Sequence, residues 1–388
     1  MFVCCAFCIW WVLPIMSLFF LATLSWLLRH AIGVFVSALA LCIAVVAFGD
    51  MPPFPLGPPD PAKAELGKLL FFDRRLSQDG TIACASCHQP NRGWSDGRPV
   101  AIGINGRAGT RNSPTIINAV YSPFMFHDGR VAGTPLQALL PLGNPDEMAS
   151  RRGEVVNGIA VVAPQNSATV VQRLRIIGGY VARFSAIFPI DVVEGSAITE
   201  ANLGDAIDHF ERTIVSDKAP IDRFLAGDKS ALSADARVGY NLAKQARCFV
   251  CHLPPLFTDN LFHNTGLEQA TMLSDATPDQ GRFVFSRDNA DRRKFKTPTL
   301  REINRTAPYG HNGAFADLAR VVRHYNAAGA YQIDRKGKTV IERDPNIDPL
   351  LLVQHWDEQQ EQYVVRFLKE AFAGTTTIKI VAPTEFPQ

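Results

Sequence analysis

Two short stretches carry side chains that could do chemistry together: Cys84-Ala85-Ser86-Cys87-His88 and Cys248-Phe249-Val250-Cys251-His252. Two thiols at this spacing can add to the vinyl groups of a haem, and the imidazole that follows is then placed on its iron. C-x-x-C-H is the attachment signal of c-type haem. A zinc ribbon would gather the four cysteines and leave both histidines without a role. A thioredoxin-like redox pair needs a strand–helix–strand setting that is missing around either motif. The pattern implies two covalently attached c-type haems, with His88 and His252 as proximal iron ligands. Such haems are attached outside the cytoplasm, so export is expected.

The group facing each iron from the other side decides between electron transfer and reaction with peroxide or dioxygen. Candidates near the first motif are Met125, His127, Met148 and His209. Near the second they are His263, Met272, His311, His324, Tyr325 and His355. Spacing alone does not choose among them.

Each motif must be held by a scaffold, and the sequence repeats one. Residues 62–72 and 234–247 place apolar side chains at helical spacing and run toward CASCH and CFVCH, with Ser233 as N-cap of the second. Helix-then-CxxCH occurs twice, 164 residues apart, which predicts two similar domains over 62–225 and 226–388. Residues 168–188, 200–215, 313–327 and 356–373 also read as amphipathic helices. A hairpin over 331–342, turning at Lys336-Gly337, is the one strand signal. The expected fold is mainly α, two cytochrome c-like haem domains with long loops.

Composition narrows the rest. With 39 basic and 37 acidic residues, the chain has no field suited to nucleic acid. Residues 1–49 hold one formal charge, Arg29, between apolar stretches 1–28 and 31–48, and nothing comparable recurs, which excludes a polytopic transporter. The second stretch ends in Ala47-Phe48-Gly49, a small-x-small cleavage pattern. Either a cleaved signal or a retained inner-membrane anchor follows, and both deliver the remainder to the periplasm. Six prolines within residues 52–61 predict an extended tether over 50–61. Cys4, Cys5, Cys8 and Cys42 lie in the leader, so attachment uses every exported thiol.

Residues 62–373 also carry LGKLLFFDRRLSQDGTIACASCH, RNSPT (111–115), HDGR (127–130), Gln137, NPDEM (144–148), FHNTGL (262–267), FKTPTLREINRTAPYGHNG (295–313) and HYN (324–326). In these motifs and their order the sequence resembles the bacterial dihaem cytochrome c peroxidases and, more closely, their MauG-like branch. The resemblance implies a first haem that reacts with hydrogen peroxide and a second that relays or stores electrons. Glu147 matches the distal glutamate that moves a proton during O–O cleavage, with Gln137 beside it. A buried carboxyl suits that task because desolvation raises its pKa.

In reductively activated relatives a distal His precedes RNSPT; the matching position here is Ile104, and no His lies between His88 and His127. The first haem is thus expected to be five-coordinate. Tyr325 falls where the peroxidases place a methionine ligand to the second haem and the MauG-like branch a tyrosine, which implies a lower potential. His127 replaces the Trp usual between the haems. The surface Trp that MauG has before its second motif is absent from Gln245-Ala246-Arg247. The resemblance also implies a calcium ion held by the Asn112 side chain and the carbonyls of Thr306 and Pro308. A small redox protein, cytochrome c or cupredoxin, is the implied donor, and the peroxidase branch includes homodimers. Two other functions compete: MauG-like oxidation of a partner protein's side chains, and electron transfer without catalysis.

Overall fold

A computed structural model describes residues 51–157, 159–160, 163, 165–267, 278–329, 331–333, 339–341, 346–374 and 380–388. The leader, Met272 and the Lys336-Gly337 turn lie outside the described residues. Eight helices of six residues or more occur among those described: α1 (Pro61–Phe72), α2 (Ser167–Arg175), α3 (Gly178–Ile187), α4 (Glu200–Glu211), α5 (Pro220–Leu225), α6 (Ala234–Gln245), α7 (Leu318–Asn326) and α8 (Glu358–Ala371). Strands are short antiparallel pairs, the longest being Tyr331–Ile333 with Thr339–Ile341. The fold is mainly α. No described helix is long and apolar enough to cross a membrane.

Caps set the helix ends. Asp60 accepts from the backbone N–H groups of Ala62 and Lys63 ahead of Pro61 at the first position, and Ser233 Oγ accepts from Ala236 N. Asp317 caps α7 and Asp357 caps α8, so both helices begin later than apolar periodicity alone places them. The stretch 168–188 is two helices because Ile177 is extended and Gly178-Gly179 follow it. A Cβ on Gly179 would stand 2.9 Å from the carbonyl oxygen of Gln388, whose bond to Gly179 N measures 2.7 Å.

Residues 51–388 form one compact unit with two main hydrophobic clusters. The first joins α1 and α4 around Phe71, Trp94 and Phe210; the second joins α6 and α8 around Phe257, Phe367 and Phe372. Both helix pairs cross at a glycine. A Cβ on Gly67 would lie 1.8 Å from Ala206 O, and one on Gly239 would lie 2.0 Å from Tyr363 O, so only a bare Cα lets the backbones meet.

Two outlying segments are fastened to the first cluster. Residues 51–60 have no regular structure, but Phe54 stacks on Tyr121 at 5.5 Å and Arg212 donates to the carbonyls of Leu56 and Gly57. From the far end of the chain, Ile380 packs on the same cluster and Arg75 Nη2 donates to Pro387 O at 2.9 Å.

Candidate functional site

The first CxxCH forms a single helical turn, Cys84–Cys87, with Ser86 Oγ accepting from Ala83 N. Beside it opens a pocket of about 540 Å³, part of it open to solvent. Cys84, Cys87, His88, Gly103, Gln137, Glu147, Met148 and Glu211 are among the residues that line it. Residues far apart in sequence are thereby brought to one cavity.

His88 Nδ1 lies 3.2 Å from Trp94 O, and His252 Nδ1 lies 3.1 Å from Phe257 O. A main-chain acceptor at Nδ1 fixes the tautomer and leaves Nε2 as the metal-facing nitrogen. Burial lowers the pKa of both imidazoles, as a neutral ligand requires. Trp94 and Phe257 both have positive φ, which turns the chain back over the histidine. Burial pushes the Cys84 thiol up to about 12 and Cys87 and Cys248 to about 11, the reverse of a reactive redox pair. Nor do the four cysteines gather: the one potential metal cluster among the described residues is Cys251, Asp259 and His263. Thiols spaced for vinyl addition and imidazoles that keep Nε2 for a metal fit a c-type haem at both motifs, and at the first the lining of the cavity fits one as well.

Glu147 stands on the 144–148 loop, where Asn144 Nδ2 donates to its Oε1 at 2.7 Å. Burial raises its pKa, against the opposing pull of that bond and of Arg130. Ile104, fully buried, donates its N–H to Glu147 O at 2.8 Å; a Cβ on Gly103 would lie 2.2 Å from Asp146 O. The segment that could carry a distal histidine is thus clamped against the glutamate's loop. Arg107 completes the brace, donating to Pro145 O at 2.6 Å, Ala149 O at 2.7 Å and Glu154 Oε1 at 2.7 Å. Sequence reasoning did not find Arg107, because a surface-type residue on a loop gives no periodic signal.

Among the other candidates in the first half, Met148 lines the cavity and Met125 is buried in a two-residue strand. His209 faces away: Ile207 and Glu211 of α4 line the cavity, and a residue midway between them projects from the opposite side. Its Nδ1 accepts from Asp60 N at 2.8 Å.

In the second half Tyr325 lies near Cys248 and Cys251. Burial raises its pKa, and the two sulfurs add to the shift. The neighbouring His324 is 1% exposed, with Nε2 2.7 Å from Thr265 O. His263 is pinned between Asp348 (2.6 Å) and Asp259 (3.0 Å), His311 is buried against Phe295, and His355 is exposed. Arg301, fully buried, donates to both Asp222 oxygens at 2.8 Å and to Pro255 O, fastening the loop after His252 to α5.

His127 lies on the seam between the halves. Its Nε2 is 3.1 Å from Asn112 O, and its carbonyl accepts from Lys296 N at 2.7 Å. Burial, with His311 second, lowers its pKa to about 3, so it is neutral. Asn112 Nδ2 donates to Arg98 O at 2.6 Å, and Asn112 N donates to His311 O at 2.7 Å. Thr306 reaches the same seam, its Cγ2 2.9 Å from where a Cβ on Gly93 would stand, and Pro308 follows on that loop.

Comparison with known proteins identifies the family. The family described as di-haem cytochrome c peroxidase matches residues 61–230. The cytochrome-c peroxidase IdrP1 of Denitromonas iodatirespirans is 36% identical, over 83% of this chain and 85% of its own. The methylamine utilization protein MauG of Methylophilus methylotrophus is 36% identical, over 72% of this chain and 76% of its own. A solved MauG-like protein associated with microbial copper homeostasis superposes with a TM-score of 0.71 at 28% identity, covering 85% of this chain and 96% of that one.

Proposed function

The chain belongs to the dihaem cytochrome c peroxidase and MauG family, and within it we propose an exported peroxidase whose first haem site is open to peroxide. It is a peroxidase-type haem oxidoreductase with two c-type haems. The finer reading rests on one observation: Glu147 and Gln137 line the same cavity as Cys84, Cys87 and His88, and among the described residues no histidine does so besides His88. The haem supplies the iron that binds peroxide and passes electrons to it.

The side chains do the remaining work. His88, its Nδ1 tied to Trp94 O, presents Nε2 to the metal. Gln137 can donate its amide to bound peroxide. Glu147, its Oε1 held by Asn144, takes the proton from one peroxide oxygen and returns it to the other, so that water departs. The balance is one hydrogen peroxide, two electrons and two protons to two waters. A small redox protein, cytochrome c or cupredoxin, is the proposed electron donor, and His252 and Tyr325 would hold the second haem, which would supply the relay. The two haem modules span about residues 62–225 and 226–388, with His127 between them. Asn112 Oδ1 and the carbonyls of Thr306 and Pro308 are the oxygen donors for a calcium ion at the seam. The leader directs the chain to the periplasm.

The test is the ferric spectrum with peroxide turnover. One high-spin and one low-spin haem, with turnover fed by a reduced small cytochrome, is expected. Two low-spin haems inert to peroxide would make the chain an electron carrier. Turnover that no small donor supports would point instead to oxidation of a partner protein.

A further inference from the structure

Glu211 closes α4 and lines the first haem cavity with Cys84, Cys87, His88 and Glu147. It is 4% exposed, and its Oε2 has no hydrogen-bond partner among the described residues. A buried carboxyl without partners costs stability, so its place needs a reason.

The second half shows what the fold alone requires there. Gly67 meets Ala206 O and Phe210 Cβ at the α1–α4 crossing, while Gly239 meets Tyr363 O and Phe367 Cβ at the α6–α8 crossing. Ala206 and Phe210 therefore correspond to Tyr363 and Phe367, and Glu211 corresponds to Leu368, an apolar side chain packed on the second cluster. Leucine satisfies the scaffold, so the carboxyl serves the cavity.

We propose that Glu211 is a potential-setting residue of the first haem, its carboxyl taking up a proton when that haem is reduced and releasing it on oxidation. The inference rests on the reading that a haem occupies this cavity. In the balanced step, the ferric site with ionised Glu211 gains one electron from a one-electron donor and one proton from solvent, giving the ferrous site with neutral Glu211. Burial, with Asp208 second, pushes the Glu211 carboxyl up to about 8, which places the exchange near physiological pH. Asp208, one turn earlier on α4, is bonded to Thr134 and Arg212. Cys84 faces Glu211 as a thioether once haem is attached. Across the cavity stand His88, neutral on iron, and Glu147, held by Asn144.

The experiment is a potentiometric titration of the dihaem protein at pH 6 to 10, followed at the absorption bands of the first haem. Around pH 8 the redox equilibrium constant of that haem should change up to tenfold per pH unit, about 59 mV for one electron. Glu211→Gln keeps the shape and removes the charge. Its potential should be flat with pH, match the wild type below pH 7 and lie above it beyond pH 9. Glu147→Gln should keep the slope. A wild-type potential independent of pH, or a slope that survives in Glu211→Gln, overturns the proposal alone. A chain that attaches fewer than two haems overturns the underlying reading and this inference with it.

Discussion

Around His88 the chain places a carbonyl at Trp94 and bonds Thr115 Oγ1 to Gly93 O at 2.7 Å; around His252 it places a carbonyl at Phe257 and bonds Thr299 Oγ1 to Leu256 O at 2.6 Å. Asn118 and Glu302, three residues after each threonine, both have φ of 59°. The proximal side of the two modules is one design used twice. The rest of each surround differs. The first cavity holds Gln137 and two carboxyls, half-buried Glu147 and buried Glu211, both with pKa raised by desolvation. Near the second motif stand Tyr325 and an imidazole, His263, between two carboxylates. One scaffold thus offers two carboxyls that hold a proton more readily than free ones at the first site and a phenol with a carboxylate-braced imidazole near the second. The contrast teaches that function was divided by side chains at haem-facing positions while the backbone stayed in place.

That comparison can be broken most sharply by removing one attachment site. Cys84→Ala with Cys87→Ala should halve the covalent haem content, measured by mass and by the haemochrome spectrum. Peroxide turnover should be abolished while the second haem's bands persist. If the Cys248→Ala, Cys251→Ala protein loses the peroxide-binding spectrum instead, the roles of the modules are reversed.

Glu147→Gln should lower turnover by about 10²–10⁴-fold with the ferric spectrum unchanged. The base must be ionised, and burial holds its pKa above the ordinary carboxylate range. Wild-type turnover should therefore rise with pH through a window above that range, and the residual activity of the variant should lack the rise. Initial rates against pH read both.

Gly67→Ala and Gly239→Ala probe the shared scaffold. Each Cβ would collide with a facing backbone carbonyl, so each variant should lose about 1–3 kcal/mol in denaturant titrations of the loaded protein. A loss at only one crossing would show that the helix pairs are not equivalent.

The smallest effect is expected at His263. Its pKa is raised to about 10, first by a bond to the Cys251 thiol that haem attachment removes, and then by Asp348 and Asp259. A raised histidine contributes stability below its unfolded pKa and loses it as pH climbs through the folded one. Asp348→Asn should therefore cost about 1 kcal/mol near pH 6 and less above pH 9, in thermal melts at the two pH values.

The repeated parts were the legible parts. Helical periodicity ahead of each CxxCH, and Ser233 as a cap, located α1 and α6 because local preferences and packing agree there. The break at Ile177 was missed although Gly178-Gly179 signals it; the contact made there, Gly179 N to Gln388 O, joins residues far apart in sequence. Glu147 was visible only by resemblance; as a loop acid it has no spacing to betray burial. Glu211 was not singled out within the 200–215 helix, although Ile207 and Ile214 lie four before and three after it, within the apolar stripe. A charge inside such a stripe was the available signal.

Synthesis delivers the chain from its beginning, yet the first hydrophobic cluster receives Ile380, and the segment around it bonds to the carbonyls of Pro387 and Gln388, from the far end of the sequence. The core around Phe71 is therefore incompletely fastened until residues 380–388 have been made. Those contacts span most of the sequence and close late. A protease cut after α8 should therefore loosen the core whose residues were made first.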